Sequence, residues 1–412
     1  MRRFTPFTST QTLSMSFADE QWNHGAKSKK STPPPPQGSG VTLRSQAVVE
    51  FGAPLQVVHH AIPALKDDEV LIKTTYAGMC HSELHLWEGK FDLGNGRVLP
   101  ANGKFPHTLG HEIEGEVIAT GKNVPQGMFK PGQSYAVYPW LGCEQKTCVH
   151  CRTEDTYNLC EVRGADSKGF CDGKSMYGGY ASHSVIPHYK YLIDYKGALP
   201  EGLGCVYMCS GLTAFSGLKK IQRHPGIVDA SDVLIIGLGG LGFQALGLAL
   251  PMLGGNPLCA DIRDEPLAVA RERGCKTFDL TLKKSIQEIR SGSFDGTGIG
   301  AVIDFVGNAD TANFAEAILR RGGKHVICGL FGGALTKPVI MFPLRARCIE
   351  GSFVGSFEEA KEMMDVLRGG QTTLPPHHFQ SIMTASQSLL DLRDKKIVGR
   401  RIFRHDWPEA KV

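Results

Sequence analysis

The chain has 412 residues and a formal net charge of +4, with 42% hydrophobic and 21% charged residues. This is the balance of an ordinary soluble globular protein with length for two or three domains. The basic residues are spread along the chain, which excludes the gathered Lys and Arg of a nucleic-acid footprint. The longest apolar stretch, Val233–Leu253, is broken by five glycines and by Pro251, short of the roughly 18 uninterrupted residues a membrane helix needs. Neither nucleic acid nor a membrane is expected as a partner.

In chain order, the first 40 residues are polar and carry the run Pro33–Pro36, and they read as a disordered extension. Arg2 and Arg3, with no acidic residue before Asp19, faintly resemble an organelle transit peptide. A cytoplasmic location is expected, with mitochondrial as the alternative. From about Val41 to Asp194, short β-branched and aromatic runs alternate with Gly and Pro, and Glu69–Thr75, Glu112–Ala119 and Ser134–Tyr138 are predicted strands. Between about Gly211 and Phe353 the pattern becomes strand, glycine turn, helix. Strands are predicted at Ser231–Gly237, Pro257–Asp261, Gly300–Val306 and Gly323–Leu330, and helices at Phe243–Leu250, Leu267–Arg273 and Asp310–Leu319. That alternation argues an α/β fold with a parallel sheet covered on both faces. A helix over Phe357–Leu367 and a strand over Ile397–Phe403 close the chain. The expected division is a β-rich domain over residues 41–210, a parallel-sheet domain over 211–353, and a return to the first domain over 354–412.

Asp232-Val-Leu-Ile-Ile-Gly237-Leu238-Gly239-Gly240-Leu241-Gly242 is a strand running into a G-x-G-x-x-G turn. Gly237 permits the tight turn, Gly239 lets backbone approach a pyrophosphate, and Gly242 lets the helix pack closely on the strand. The helix N-terminus then offers free N–H groups and the positive end of its dipole to the phosphates. The following strand ends in Asp261, where a carboxylate can accept from both ribose hydroxyls and would repel a 2′-phosphate. NAD is therefore favoured over NADP, although Arg263, two residues on, weakens that preference. Pro251 is expected to end or kink the helix without disturbing its phosphate end.

Twelve cysteines are many for one chain, and without a secretory signal metal binding is the expected use. A catalytic zinc needs three protein ligands and one open position. Cys80 in Gly78-Met-Cys-His-Ser-Glu-Leu-His85, His111 in Gly110-His-Glu112, and Cys209 in Met208-Cys-Ser-Gly211 would supply sulfur, nitrogen and sulfur. Taken singly, each is as well explained as a core residue; as an ordered set beside a dinucleotide turn they form a ligand set. A second cluster, Cys143-x4-Cys148-x2-Cys151-x8-Cys160, can close a four-thiolate structural site.

These motifs, in this order, together with Gly351-Ser-Phe-Val-Gly355 and Val398-Gly-Arg400, resemble those of zinc-containing medium-chain alcohol dehydrogenases, with most likeness to the yeast and bacterial branch. The resemblance runs from about residue 41 to about residue 404. It implies a β-rich GroES-like catalytic domain joined to a Rossmann doubly wound coenzyme domain, one catalytic and one structural zinc, NAD as coenzyme, and a homotetramer or homodimer. It implies hydride transfer between NAD and an alcohol or aldehyde. Zinc would lower the pKa of bound alcohol so that the alkoxide is available near neutral pH, facing the nicotinamide. Ser82 would accept the proton and pass it through the nicotinamide ribose hydroxyl to His85, an imidazole suited to that pH range.

The resemblance also places His81 and Arg400 at the coenzyme pyrophosphate, Gly329 and Leu330 at the nicotinamide carboxamide, and Val306 and Gly307 along the adenine or ribose side. Glu112 resembles a carboxylate close to the zinc. Glu83 stands where the family has Asp to orient the ligand histidine, so its geometry must differ. The family's cysteine gaps of two, two and seven residues are four, two and eight here, and Cys171 is a spare thiol. Trp87 and Trp140 are expected to shape a pocket for an unbranched or aromatic primary alcohol. Two rival readings are a zinc-free quinone or enoyl reductase and a zinc module that binds nucleic acid or a partner. The first has no use for Cys80, His111 and Cys209 together, and the second lacks a basic cluster.

Overall fold

The computed structural model describes residues 42–101, 105–152, 155–162, 178–282 and 284–408. The N-terminal extension and Cys171 lie outside these. The first part of the chain forms β1 (Thr42–Val48), β2 (Gln56–Ala61), β3 (Val70–Gly78), α1 (His81–Glu88), the hairpin β4 (Lys90–Gly94) and β5 (Arg97–Pro100), then β6 (His107–Thr108), β7 (Glu112–Thr120), β8 (Ser134–Val137), β9 (His183–Ile186) and β10 (Leu192–Ile193). The middle part forms α2 (Leu212–Gln222), β11 (Val233–Ile236), α3 (Gly240–Leu253), β12 (Leu258–Asp261), α4 (Asp264–Glu272), β13 (Thr277–Asp279), α5 (Ser285–Ser291), β14 (Ile299–Asp304), α6 (Ala309–Ile318), β15 (Leu319–Ile327) and β16 (Cys348–Gly351). The chain closes with α7 (Phe357–Arg368), β17 (His377–Ser381), α8 (Ala385–Arg393) and β18 (Arg400–Arg404).

Strands β10, β8, β7, β3, β18 and β17 lie in that order in one sheet, with β9 also on β3. The closing segment thus returns to the sheet of the first part. The antiparallel register of β3 on β7 ends with Gly78 opposite Glu112. That single pairing sets Cys80, two residues past β3, beside His111, one residue before β7. Only glycine fits at 78, because a Cβ there would lie 1.9 Å from a carboxylate oxygen of Glu112.

The middle part is a six-stranded sheet in the order β13-β12-β11-β14-β15-β16, every neighbour parallel. Side chains alternate across it. Val233 and Ile235 join one buried cluster with Leu218 and Phe243, while Leu234 and Ile236 join another with Ile289 and Ala315. Both faces are covered, so β11 and β14 are buried along their whole length, as parallel strands between helix layers must be. The strand order reverses between β11 and β14, where such sheets leave a crevice at the carboxyl ends of the strands.

Three sequence expectations shift. Helix α3 runs through Pro251 to Leu253, beyond the predicted end at Leu250. The carbonyl of Gly247, which a proline at 251 cannot satisfy, accepts the amide of Thr373 at 3.1 Å. Strand β15 spans Leu319–Ile327 rather than Gly323–Leu330, because the amides of Cys328 and Gly329 both turn to the Asp304 carbonyl, at 2.9 and 3.1 Å. Strand β18 begins at Arg400, since Gly399, at φ 78, is pressed so closely on Pro376 that a Cβ would meet its carbonyl oxygen at 2.0 Å. No helix among the described residues is long and apolar enough to cross a membrane.

Candidate active site

Cys80 caps α1 and its amide donates to Oε2 of Glu83 at 2.7 Å. Cys209 lies in the buried helical turn Tyr207–Gly211 that leads into α2. One ligand atom each from Cys80, His111, Cys209 and Glu112 lie within 4.8 Å of one another, all four residues buried. The Cys80 and Cys209 sulfurs are 3.9 Å apart, and Nε2 of His111 is 3.1 Å from the Cys209 sulfur. Zinc–sulfur bonds of about 2.3 Å at tetrahedral angles require sulfurs roughly 3.8 Å apart, so the donor set fits zinc. The hydrogen bond from Cys209, reinforced by His111 and Arg400, holds the Cys80 thiol well below its ordinary pKa, while Cys209 is pushed up. A thiolate is the form a metal takes.

Glu83 answers the question raised by its extra methylene. It is fully buried, and Oε1 lies 2.6 Å from Nδ1 of His111. One carboxylate thus fixes both the ligand histidine and the backbone of the ligand cysteine, and it leaves Nε2 as the histidine nitrogen facing the sulfurs. Glu112 is paired with buried Arg400 through Oε2, while its Oε1 has no hydrogen-bond partner among the described residues. Burial pushes the Glu112 carboxyl up to about 7 against the pull of Arg400.

The Cys80 sulfur is 3.7 Å from the Ser82 hydroxyl, and His85 follows on the same helix with its ring 4.9 Å from that of Phe91 and 5.3 Å from that of His81. Burial lowers the pKa of both histidines. Trp140 lies against the His111 ring at 5.5 Å, fixed by its indole N–H to the Met208 carbonyl at 3.1 Å. Phe353, 5.4 Å from Trp140, extends that aromatic wall. Trp87 does not join it. Its ring is buried in a separate core cluster with Leu84 and Leu389, and its N–H donates to the Ala53 carbonyl at 2.6 Å.

The second cysteine cluster closes despite its longer gaps. Cys143 and Cys151 are 3.7 Å apart and Cys148 and Cys160 are 3.9 Å apart, again the separation of a tetrahedral zinc site, and all four sulfurs lie within 4.8 Å of one another. Glu144 takes up the inserted length in a left-handed turn at φ 60. Its carboxylate is held by Lys190 at 3.0 Å and by the Tyr191 hydroxyl at 3.2 Å.

A cavity of about 260 Å³ opens at the strand-order reversal, lined by the glycine turn, Asp261, Arg263, Val306, Phe331 and Arg400. Gly237 has φ 86, and a Cβ at Gly242 would strike the Gly237 carbonyl oxygen at 2.0 Å. The space over Gly239 is open, with no atom of the described residues within 4 Å of where its Cβ would be. The N-cap of α3 is Gly239, which has no side chain to cap the first turn, and this leaves the amides there to a ligand. Asp261 accepts from the amides of Leu238, Ile262 and Arg263 at 2.7, 2.8 and 3.0 Å. His81 and Leu241 line the cavity as well. Gly329 packs on the backbone of Val306 and Gly307, whereas Leu330 is 54% exposed and Phe331 takes the lining position beside His81. Arg400 faces the cavity as the resemblance implies, and Phe331, Asn308, Leu392, Lys395, Ile397 and Arg401, which the sequence did not single out, line it as well. Phe353 was within a quoted motif, but no local pattern marks the other residues.

Residues 66–196 match the alcohol dehydrogenase GroES-like domain family and residues 240–369 the zinc-binding dehydrogenase family. An NAD-dependent alcohol dehydrogenase of Sulfurisphaera tokodaii is 31% identical over 364 residues, covering 88% of this chain and 99% of the relative. The chain belongs to the zinc-containing medium-chain alcohol dehydrogenase family. Another member, alcohol dehydrogenase 1 of Emericella nidulans, is 31% identical over 80% of this chain and 89% of its own length. The crystal structure of the alcohol dehydrogenase of Aeropyrum pernix superposes with a TM-score of 0.73 at 24% identity, covering 88% of this chain and 99% of that one. The family's GroES-like domain and parallel coenzyme sheet are the two sheets described above.

Proposed function

We propose that the chain is an NAD-dependent dehydrogenase that interconverts a primary aliphatic or aromatic alcohol and its aldehyde. The observation that carries this reading is the convergence of two cysteine sulfurs and one imidazole nitrogen in a buried site, beside a glycine-turn cavity ending in Asp261. Cys80, His111 and Cys209 hold the catalytic zinc, which when bound supplies the Lewis acidity that lowers the pKa of an alcohol. Cys143, Cys148, Cys151 and Cys160 hold the structural zinc.

The remaining chemistry falls to side chains. Glu83 orients His111, and Glu112 with Arg400 sets the charge behind the ligands. Ser82 would receive the proton of the alcohol and His85 would pass it to solvent; NAD, when bound, would supply the hydride acceptor. Proton relays of this kind need donors and acceptors within about one hydrogen bond or one water of each other. Asp261 accepts from the adenosine ribose; His81 and Arg400 face the pyrophosphate above Gly237–Gly242. Val306, Gly307, Gly329 and Leu330 supply the ribose and carboxamide side. Trp140 forms the wall that favours unbranched or aromatic alcohols.

The chain divides into a catalytic part over residues 41–210 and 354–412 and a coenzyme part over 211–353. It assembles as a homotetramer or homodimer in the cytoplasm. The test follows nicotinamide absorbance over a panel of primary, secondary and aromatic alcohols with NAD and with NADP, before and after treatment with a strong chelator. NAD-preferring, chelator-sensitive turnover is expected. Turnover that survives metal removal, or that requires NADP, overturns the reading.

A further inference from the structure

We propose that Arg263 is a gate at the adenosine end of the coenzyme cavity, a clasp between two of its lining segments and not a ligand of the coenzyme. The inference rests on the coenzyme reading above. Arg263 follows β12 and precedes α4 on the coenzyme side. Its Nη1 donates to the backbone carbonyls of Lys395, at 3.0 Å, and Ile397, at 3.4 Å. Those carbonyls belong to the closing segment between α8 and β18, and Arg263, Lys395 and Ile397 line the same cavity as Asp261.

The acceptors are preformed. Lys395 sits in a left-handed turn at φ 57 just past α8, with its amide on the Leu392 carbonyl at 3.1 Å and that of Lys396 on the Asp391 carbonyl at 2.9 Å. Asp391 is tied to β18 by Arg401 at 2.7 Å. A guanidinium at the C-terminal end of a helix is also favoured by the dipole. A free arginine two residues past the ribose carboxylate would be the natural partner for a 2′-phosphate. Here Nη1 is committed to the chain's own carbonyls, and its Nε stands 3.8 Å from Asp261. The residue that in sequence weakens the case for NAD is therefore assigned to closing the cavity.

A gate and a ligand differ kinetically. A direct contact acts mainly on the dissociation rate, whereas a clasp that must open for passage in either direction slows entry and exit alike. The test is stopped-flow NADH fluorescence on the full chain, recording association with NADH and dissociation on a chase with excess NAD. Arg263→Ala is expected to raise both rate constants about tenfold, the loss of a charged hydrogen bond, with the NAD-over-NADP preference unchanged. Arg263→Lys, which can reach one carbonyl, is expected to fall between, and it replaces the alanine variant if that one does not fold. Lys361→Ala, a change at a half-exposed position on α7 that does not line the cavity, serves as the control and should match wild type. Faster dissociation with unchanged association, or a selective loss of NADP affinity, makes Arg263 a coenzyme ligand and overturns the proposal. Unchanged rates do the same. Failure of the wild-type chain to bind NADH would remove the coenzyme reading itself, a result distinct from any difference among the variants.

Discussion

Replacing Glu83 by Gln tests whether one buried carboxylate organises the metal site. In the native site its two oxygens accept from three donors, Oε1 from Nδ1 of His111 at 2.6 Å and from the His111 amide at 3.3 Å, and Oε2 from the Cys80 amide at 2.7 Å. An amide has one acceptor oxygen, so at least one of those donors would face an NH2 group with no water to turn to, since the side chain is fully buried. A buried donor left unpaired costs about 1–3 kcal/mol. Loss of the carboxylate behind a ligand histidine typically weakens metal binding by about 10- to 100-fold, or about 1.4–2.8 kcal/mol. Glu83→Asp keeps the charge but withdraws it by about one carbon–carbon bond, roughly 1.5 Å, which also opens the His111 contact. Both variants are therefore expected to lose zinc from one site at 10- to 100-fold lower chelator concentration and to lose kcat in proportion. The assay is zinc competition with a chromogenic chelator, and the Cys143–Cys160 site in the same molecule is the internal reference. If both variants retain zinc and kcat as wild type does, the carboxylate is packing rather than support, and the reasoning fails.

Gly239→Ala should leave thermal stability unchanged, because the space around its Cβ is open and φ is −83, yet weaken NADH binding about tenfold or more by filling the phosphate approach. Gly242→Ala should instead lower Tm, because its Cβ meets a carbonyl at 2.0 Å; equal Tm for the two would contradict the contrast. Cys151→Ser should reduce bound zinc from two ions per chain to one, counted by metal analysis, and lower Tm on the order of 5–10 °C. Asp261→Asn should raise KM for NAD about tenfold and narrow the gap to NADP, read from steady-state kinetics with both coenzymes. Glu114 supplies a pH test. It is fully buried, accepts from Tyr195 at 2.6 Å and from the amides of Gly202 and Cys205, and burial pushes its carboxyl up to about 7 from 4.5. Its contribution to stability is thus complete below pH 4.5 and lost as pH rises toward 7, by up to about 1.4 kcal/mol per pH unit. Denaturant titrations at pH 4.5, 6 and 7.5 should show this fall in the wild type and a flatter profile in Glu114→Gln.

Sequence alone determined what depends on local chemistry. The spacing Gly237-x-Gly239-x-x-Gly242 after an apolar strand fixes a turn because each glycine answers a backbone demand within six residues. The Cys148-x2-Cys151 core of the second cluster works the same way, and so does the alternation that separates an antiparallel from a parallel sheet. Even the set Cys80, His111 and Cys209 was legible as a set, because sulfur and imidazole in that order have few other uses beside a dinucleotide turn.

Tertiary structure decided which alternatives at each position were taken, because those choices depend on partners far along the chain. Glu83 supports His111 only because the β3–β7 register ends at Gly78 and Glu112. Helix α3 survives Pro251 because Thr373 arrives to use the freed carbonyl. Glu144 absorbs two inserted residues because Lys190 and Tyr191 are there to hold it. Trp87, adjacent in sequence to the metal-site residues, is carried by the periodicity of α1 into a separate core, while Trp140 meets His111. Arg263 meets the carbonyls of Lys395 and Ile397 only because the closing segment returns to the cavity. In each case a side chain has several partners it could satisfy, and the choice is made by the backbone that folding brings within about 3 Å.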